Sequence, residues 1–201
     1  MEQQIILAST SPFRKAILEK LAIPFICRSP DINETALNNE NAEQLVQRLA
    51  TEKAKAVAKE FNNGFIIGSD QVAIIDSQIL GKPHTHANAV KQLQLSSGKT
   101  VRFLNGLCLL NAATGEHKTV LEPFNVHFKQ LTQQQISNYL HLEKPYKCAG
   151  SFKSEAAGIA LFERLEGNDP NSLIGLPLIR LIELFKYFKV DVLELAIKTK
   201  E

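Results

Sequence analysis

The feature that most constrains the fold is the start of the chain, where a short apolar strand runs directly into a helix. The apolar run Ile5–Ala8 precedes Ser9-Thr10-Ser11-Pro12, whose hydroxyl groups and proline are typical of a helix start. Apolar residues then recur at helical spacing as far as Leu21. A strand, a tight turn and a helix in this order are typical of α/β folds, whose ligands gather at the carboxyl ends of strands.

The rest of the chain continues to alternate strands and helices. The pattern predicts a strand over Pro24–Ser29, an amphipathic helix over Asn41–Phe61, and a buried strand over Phe65–Gly68 that ends at Ser69-Asp70-Gln71. Further elements are predicted as a hairpin around Asp76-Ser77, a helix near Ala87–Leu95, strands at Val101–Leu110 and Thr119–Lys129, a helix from Thr132, a strand at Ile159–Arg164 and a final helix over Pro177–Phe188. Because no linker or repeat interrupts this pattern, we expect one domain over residues 1–201, built as two interleaved lobes.

Composition and missing motifs narrow the functional classes. A formal net charge of +2 over 201 residues argues against a nucleic-acid partner. Three cysteines without a CxxC pair indicate neither a disulfide framework nor a zinc site, and free thiols fit a reducing, cytoplasmic location. No signal peptide and no run of roughly 18 apolar residues is present, so we expect no membrane partner. The histidines lack zinc-ligand spacing, and the motifs of serine hydrolases and P-loop enzymes are absent.

Two segments have the residues of an anion site. In ASTSPFR, which spans Ala8–Arg14 and includes Ser9, the N–H groups of a helix start and a guanidinium in its first turn suit a phosphate. The same residues also fit a plain helix cap. In LGKP, Gly81 and Pro83 fix the backbone on either side of Lys82, and phosphate chemistry needs such fixed cations. An ordinary loop lysine is the alternative there.

Carboxylates and one further lysine complete the candidate chemistry. Asp70 directly follows an apolar strand, which is a usual location for a general base or a metal ligand and also for an Asx turn. Glu34 lies in an acidic loop and with Asp70 would form a hard oxygen site for Mg²⁺ or Mn²⁺. Lys53 lies inside the predicted helix, where taken alone it reads as a solvent-exposed charge. In the glycine-rich late segment, Lys153, Ser154 and Glu155 suit base recognition, although a strand with polar turns is the alternative.

These motifs, taken in order, resemble the Maf family of nucleotide pyrophosphatases. The motifs follow the order typical of the family: ASTSPFR, Glu34, the Lys53 helix, SDQV and LGKP. The resemblance runs from Ile5 to the final helix. It implies a mixed α/β sheet of the Maf/ITPase-like kind, with a cleft between two lobes. The branch that acts on dTTP and UTP typically has Ala-Asp-Thr at the aspartate and Gln in the late loop. This chain has Ser69-Asp70-Gln71 and CAGSFKSE, and is therefore similar to the 7-methyl-GTP branch.

The resemblance also implies a reaction, hydrolysis of 7-methyl-GTP to 7-methyl-GMP and pyrophosphate, which would keep modified nucleotides out of nucleic acids. Asp70 would accept the proton, and Glu34 and Asp70 would hold divalent Mg²⁺ or Mn²⁺. The substrate-binding residues implied are Ser9, Phe13, Arg14, Lys53, Gln71, Lys82 and Glu155.

Base specificity is implied for Phe13, Gln71 and Glu155 from that set. Two positions depart from the family pattern, because Phe13 stands where close relatives often have Trp, and Ser77 stands where the hairpin often has Gly. The alternatives are hydrolysis of dTTP and UTP, or a non-catalytic nucleotide-binding role in cell-division arrest. The expected partner is a small nucleotide, and the sequence leaves a homodimer open.

Overall fold

Strands and helices alternate through the computed structural model, which describes residues 4–198. Within that range the strands are β1 (Ile5–Leu7), β2 (Ile26–Cys27), β3 (Phe65–Ile75), β4 (Gln78–Leu80), β5 (Thr100–Asn111), β6 (His117–Phe128) and β7 (Phe162–Gly167). The α-helices are α1 (Pro12–Leu18), α2 (Ala42–Ala58), α3 (His86–Ser96), α4 (Gln133–Glu143), α5 (Leu178–Tyr187) and α6 (Val192–Lys198). Short 3₁₀ segments lie at Glu19–Leu21, Ala149–Ser151, Ala157–Leu161 and Pro170–Ile174.

The strands form a mixed sheet, which confirms the predicted α/β class. They are hydrogen-bonded in the order β2-β1-β3-β5-β6-β7, with β4 paired to β3. Strand β1 runs parallel to both of its neighbours, and Ile6 lies opposite Ile26 on one side and Ile66 on the other. Strands β4 and β7 pair antiparallel with β3 and β6. No helix within residues 4–198 has the length and apolar character that crossing a membrane requires.

The described chain divides into two compact units, each built from separated segments. The first unit comprises residues 4–71, 105–122 and 175–198, and the second comprises residues 72–104 and 123–174. Strands β3, β5 and β6 each contribute residues to both units. The alternation of segments agrees with the expected interleaving of two lobes.

The first unit has helices on both faces of its strands. Ile66 of β3 packs in an apolar cluster with Ala50 and Ala54 of α2, whereas its neighbour Phe65 contacts Phe185 of α5 edge-on, with ring centroids 6.0 Å apart. Because successive residues of a strand point to opposite faces, α2 and α5 cover opposite sides of β3. Polar residues further along β3 are therefore also sorted between these two faces.

The second unit has its own apolar core, centred on four phenylalanine rings. Phe152 meets Phe103, Phe128 and Phe162 edge-on, with ring centroids 4.8–5.5 Å apart. Helices α3 and α4 pack onto this cluster through buried side chains that include Leu93. Each unit therefore has the core that it needs to hold its polar loops in place.

Local signals for turns and helix starts are confirmed by the structure. Ser11 caps α1, and Asn41 and Thr132 form capping boxes at the starts of α2 and α4. In the hairpin between β3 and β4, Asp76 and Ser77 have φ angles of +46° and +66°. This left-handed backbone explains why glycine is favoured at the position of Ser77.

Several predicted boundaries are wrong. Strand β3 does not end at Gly68 but spans 11 residues, Phe65–Ile75, because the polar Ser-Asp-Gln segment has packed partners on both faces. The strand predicted at Pro24–Ser29 is limited to Ile26–Cys27, and the one predicted from Ile159 begins at Phe162 after a 3₁₀ segment. The helix predicted to be the last is followed by α6.

Candidate active site

The centre of the candidate site is a buried lysine shared by two carboxylates. The Nζ atom of Lys53 lies 2.6 Å from Oδ1 of Asp70 and 2.8 Å from Oε1 of Glu34. Lys53 is 4% exposed and Asp70 7% exposed, whereas the Glu34 side chain is 59% exposed in its loop. Taken alone, the sequence indicates a solvent-exposed charge at Lys53. The structure instead has the lysine on the buried face of α2, where the two carboxylates neutralise it.

Close packing of α2 against β3 brings Lys53 to Asp70. A Cβ atom at Gly68 would lie 2.0 Å from the carbonyl oxygen of Ala50 and 3.0 Å from Cβ of Ala54, so only glycine fits at this contact. Gly68 and Asp70 point to the same face of the strand, since side chains alternate along it. The contact at Gly68 therefore sets the height at which the Lys53 ammonium meets the carboxylate.

Arg14 adds a second cation beside these carboxylates. Its Nε donates a hydrogen bond of 3.0 Å to the carbonyl oxygen of Gly175, and its guanidinium is half-buried. Burial lowers the pKa of Arg14 from its ordinary value, while the Asp70 and Glu34 carboxylates raise the pKa. A guanidinium remains protonated in proteins, so Arg14 is available to an anionic ligand. Four charged residues predicted separately thus lie together in the first unit.

The segment at Gly175 holds Arg14 in place and was not predicted from the sequence. Its carbonyl oxygen accepts from Arg14 and also from Oγ of Ser69, at 3.0 Å in each case. Gly175 has a φ of +109°, a conformation that side-chain-bearing residues rarely adopt, and Arg14 lies 3.4 Å from the position of an added Cβ. Ser69 is buried and lies on the opposite face of β3 from Asp70. Strand β3 therefore contacts Lys53 through Asp70 on one face and, through Ser69, the Gly175 carbonyl that binds Arg14 on the other.

The first turn of α1 has the geometry of a normal helix cap. Oγ of Ser11 accepts from the backbone N–H of Arg14 at 3.4 Å, and Oγ of Ser9 accepts from the N–H of Ser11 at 3.1 Å. Ser9 is buried directly after β1, whereas Phe13 is 38% exposed. Phe13 is therefore no core residue of α1, and the role predicted for its ring stays a prediction. The same is true of phosphate binding by Ser9.

Gln71 belongs to a chain of amide groups in the first unit, which we call the amide chain and define as Gln71, Asn105 and the backbone carbonyl of Glu122. Nε2 of Gln71 donates to Oδ1 of Asn105 at 3.1 Å, and Nδ2 of Asn105 donates to the Glu122 carbonyl at 3.3 Å. Arg180 pairs with the buried Glu122 carboxylate at 2.7 Å. Asn105 is fully buried and was missed at the sequence level.

Lys82 lies in the second unit, on an exposed loop with a fixed backbone. The side chains of Asn88 and Gln92 on α3 donate to the carbonyl oxygens of Pro83 and Gly81, both at 3.0 Å. An added Cβ at Gly81 would meet nothing within 4 Å, so the loop is held by these hydrogen bonds rather than by glycine geometry. The expectation of a fixed backbone at Lys82 is met, but by other groups.

Glu155 is exposed on a second anchored loop of the same unit. Glu143 accepts from Nζ of Lys153 at 3.2 Å and from the backbone N–H of Ala157 at 3.1 Å, on either side of Glu155. These bonds lower the pKa of Glu143. Burial raises the pKa of Cys148, and the Glu155 carboxylate raises this pKa further, whereas Lys153 and Lys82 lower it.

The metal predicted at Glu34 and Asp70 has suitable donor atoms. Both carboxylates contact the same ammonium, so hard oxygen ligands lie close together. Across the described chain, no cluster of three or more His, Cys, Asp or Glu side chains is arranged to hold a metal ion. Mg²⁺ is commonly held by one or two carboxylates together with substrate phosphates, and this donor set fits that mode.

Comparisons with known proteins agree over most of the chain. A family model described as Maf-like protein matches residues 4–188. A 7-methyl-GTP pyrophosphatase of Pseudoalteromonas translucida (strain TAC 125) is 58% identical over 193 residues, covering 96% of each chain. A 7-methyl-GTP pyrophosphatase of Colwellia psychrerythraea (strain 34H) is 57% identical over 94% of each chain. Among solved structures, the Ham1 protein of Staphylococcus aureus has a TM-score of 0.44 at 14% identity, over 64% of this chain and 73% of that one.

Proposed function

The chain belongs to the Maf family, and we propose on that basis that it is a nucleoside triphosphate pyrophosphatase acting on 7-methyl-GTP. The observation that carries the proposal is the activity named for relatives that are 57–58% identical over 94–96% of their length. Grouped cations beside a buried carboxylate support it, because phosphate transfer relies on fixed positive charge and on a positioned base.

Asp70 is the proposed proton acceptor. It takes a proton from the water whose oxygen bonds to the α-phosphorus, while the bond from that phosphorus to the bridging oxygen of the β-phosphate breaks. The products are 7-methyl-GMP and pyrophosphate. Lys53 holds Oδ1 of Asp70 at 2.6 Å and so fixes the carboxylate. An aspartate has a reference pKa of about 3.9 and is a weak base, so correct placement carries much of its effect.

Three cations are proposed to stabilise the polyphosphate. Arg14 keeps its terminal guanidinium nitrogens for phosphate while its Nε binds Gly175. Lys53 is buried and therefore acts at low dielectric, where a charge is more effective than in water. Lys82 is presented by its anchored loop, and Ser9 contributes a hydroxyl group after β1.

Glu34 and Asp70 are the proposed ligands of a divalent cation, Mg²⁺ or Mn²⁺. When bound, such an ion acidifies water and screens the phosphate charges. Activity is therefore expected to disappear in excess EDTA and to return when Mg²⁺ or Mn²⁺ is added back. Full turnover in EDTA would exclude the metal from the proposal.

The base is proposed to be read by Phe13, Gln71 and Glu155. The exposed Phe13 ring suits the positive charge that methylation at N7 gives to the purine. Glu155 is exposed on its anchored loop, and a carboxylate accepts both the N1–H and the N2–H of guanine. Gln71 has a side-chain amide, whose NH₂ group donates hydrogen bonds and whose oxygen accepts them.

The deciding experiment is a hydrolysis screen of the purified protein with 7-methyl-GTP, GTP, dTTP and UTP, followed by pyrophosphate release. We expect 7-methyl-GTP to be the preferred substrate. Asp70→Asn should keep the fold and lose roughly two to four powers of ten in turnover, the usual contribution of a general base. Preference for dTTP or UTP would assign the other substrate class, and binding without pyrophosphate release would favour a regulator of cell division. Near wild-type turnover in a folded Asp70→Asn protein would remove Asp70 from the mechanism.

A further inference from the structure

The amide chain has a defined direction, because each of its members can bond in only one orientation. The backbone carbonyl of Glu122 is an acceptor, so the Asn105 group that meets it is the Nδ2 donor, at 3.3 Å. The other end of the same amide, Oδ1, then faces Gln71 and can only accept. Gln71 answers with its Nε2 donor at 3.1 Å. The direction of the Gln71 amide is thus set by a backbone carbonyl two steps away.

The inner end of the amide chain, at Asn105 and Glu122, is held by buried contacts. Asn105 and the Glu122 side chain are both fully buried, and Arg180 binds Oε2 of Glu122 at 2.7 Å. Reversing the Asn105 amide would place two oxygen acceptors against each other at Glu122, an arrangement that costs about 1–3 kcal/mol for an unsatisfied buried group. A single direction of the amide chain is therefore strongly favoured.

The oxygen end of the Gln71 amide lies beside Arg14, one of the charged residues of the candidate site. Oε1 of Gln71 lies 3.7 Å from the Cβ position at Gly175, where Arg14 nitrogens lie at 3.4 and 3.8 Å. Gln71 as a whole is half-buried. An amide oxygen has two acceptor positions and can receive a ligand N–H in addition to another partner.

We propose that Asn105 is a positioning residue for base recognition, because it turns the Gln71 amide so that its oxygen faces the nucleotide. The inference rests on the proposed function in so far as it takes a purine nucleotide as the ligand. An oxygen at this place selects an N–H donor. The N2 amino group of guanine has a second N–H that Glu155 does not use, whereas adenine has no amino group at that position. Asn105 itself touches no ligand and acts through Gln71.

The test is a double-mutant cycle on nucleotide binding, with GTP and ATP as probes and calorimetry as the measurement. Asn105→Ala should lower the preference for GTP over ATP by about three- to tenfold, the value of one hydrogen bond. Gln71→Met should lower it by a similar factor, and Asn105→Ala should have no further effect in the Gln71→Met protein.

The proposal is overturned if the wild-type protein binds GTP and ATP equally, or if Gln71→Met leaves the preference unchanged, a result that does not depend on the folding of any Asn105 variant. It is also overturned if Asn105→Ala shifts the preference equally with and without Gln71, since a general loosening of the unit would do that. Because binding is measured apart from pyrophosphate release, a protein that binds with the expected cycle but does not hydrolyse 7-methyl-GTP would refute the proposed function and leave the role of Asn105 supported.

Discussion

Lys53 is the single residue on which the arrangement of charges in the first unit depends. Its ammonium group contacts both Asp70 and Glu34, and the side chain is almost completely buried. A buried ion pair contributes little net stability, because the gain in attraction is offset by desolvation of both charges. Removing one partner is different, since the remaining buried charge then has neither water nor a counter-ion.

Lys53→Met should therefore destabilise the protein by about 3–5 kcal/mol, the usual cost of leaving one charge of a buried pair without its partner. Asp70→Asn should recover part of this loss in the double variant, because a neutral amide needs no cation. Urea unfolding of the wild type, both single variants and the double variant measures the coupling. Lys55→Met, at an exposed position of the same helix, is the control and should change stability by no more than about 0.5 kcal/mol. Additive effects of the two single changes would contradict the prediction.

The sequence identified the charged residues of the site but not their environment. Leu45, Leu49, Lys53 and Val57 follow one another at a spacing of four residues, so the apolar stripe of α2 already contained the signal that Lys53 is buried. Ser69, Asn105 and Gly175 could not be found in this way. Their partners lie in distant segments of the chain, and only the packing of β3, β5 and the Gly175 segment brings them together.

At the scale of elements, the height of α2 above β3 is set at Gly68, and this contact gives a second prediction. Gly68→Ala should lower the free energy of unfolding by about 1–3 kcal/mol, because an added methyl group within 2.0 Å of the Ala50 carbonyl forces the backbone to move. Turnover should fall as well, since the same shift separates Lys53 from Asp70. Gly81→Ala meets nothing within 4 Å and is the matched control for stability by urea unfolding. Equal stabilities of the two variants would show that α2 does not pack this closely.

The loop that carries Glu34 is tied to α2 by Arg48. Its guanidinium binds both oxygens of Glu40, at 2.6 and 2.8 Å, and the carbonyl oxygen of Thr35 at 3.1 Å. The hydrogen bonds from Arg48 lower the pKa of Glu40 from 4.5 to about 2, and the backbone N–H of Leu37 contributes to this shift. The loop next to Glu34 is therefore ordered by an ionised carboxylate.

A third prediction follows for the dependence of stability on pH. Because the pKa of Glu40 is lowered in the folded state, its contribution is complete above pH 4.5 and is lost as the pH falls toward 2. Glu40→Gln should be less stable than the wild type at pH 7, and the difference should shrink steadily below pH 4.5. Urea unfolding at several pH values between 7 and 3 measures this. A difference that stays constant over that range would contradict the assignment to ionised Glu40.

Element boundaries were predictable only where a local signal fixes them. The capping residues Asn41 and Thr132 act on N–H groups three residues away, so both helix starts were correct. The end of β3 depends instead on what lies beside it. Ser69-Asp70-Gln71 resembles a loop in sequence, yet its side chains bind groups from other segments and the strand continues to Ile75.

At the scale of the whole molecule, Glu155 and the three residues Asp70, Lys53 and Arg14 have different supports. Asp70, Lys53 and Arg14 depend on packed elements of the first unit, whereas Glu155 depends on a loop of the second unit that Glu143 holds on both sides. A substitution in one set should therefore leave the other set intact. Turnover and base preference should respond to different substitutions.

The last prediction uses this separation. Glu155→Gln removes one of the two carboxylate oxygens that accept guanine N–H groups. It also removes the negative charge that balances the methylated base. The preference for 7-methyl-GTP over GTP should therefore fall by roughly 1.5–3 kcal/mol. Phe13→Ala removes an aromatic face and should reduce the preference for 7-methyl-GTP over GTP by about 0.5–2 kcal/mol. The measurement is kcat/KM for both substrates.

Asp70→Asn is the control for this experiment, because it should slow both reactions by the same factor and leave the ratio of the two kcat/KM values unchanged. A ratio that stays at the wild-type value in both Phe13→Ala and Glu155→Gln would exclude these residues from reading the base. If Asp70→Asn changes the ratio as well, chemistry and recognition are coupled through the same groups. The proposed division between the packed elements of the first unit and the loop of the second would then be wrong.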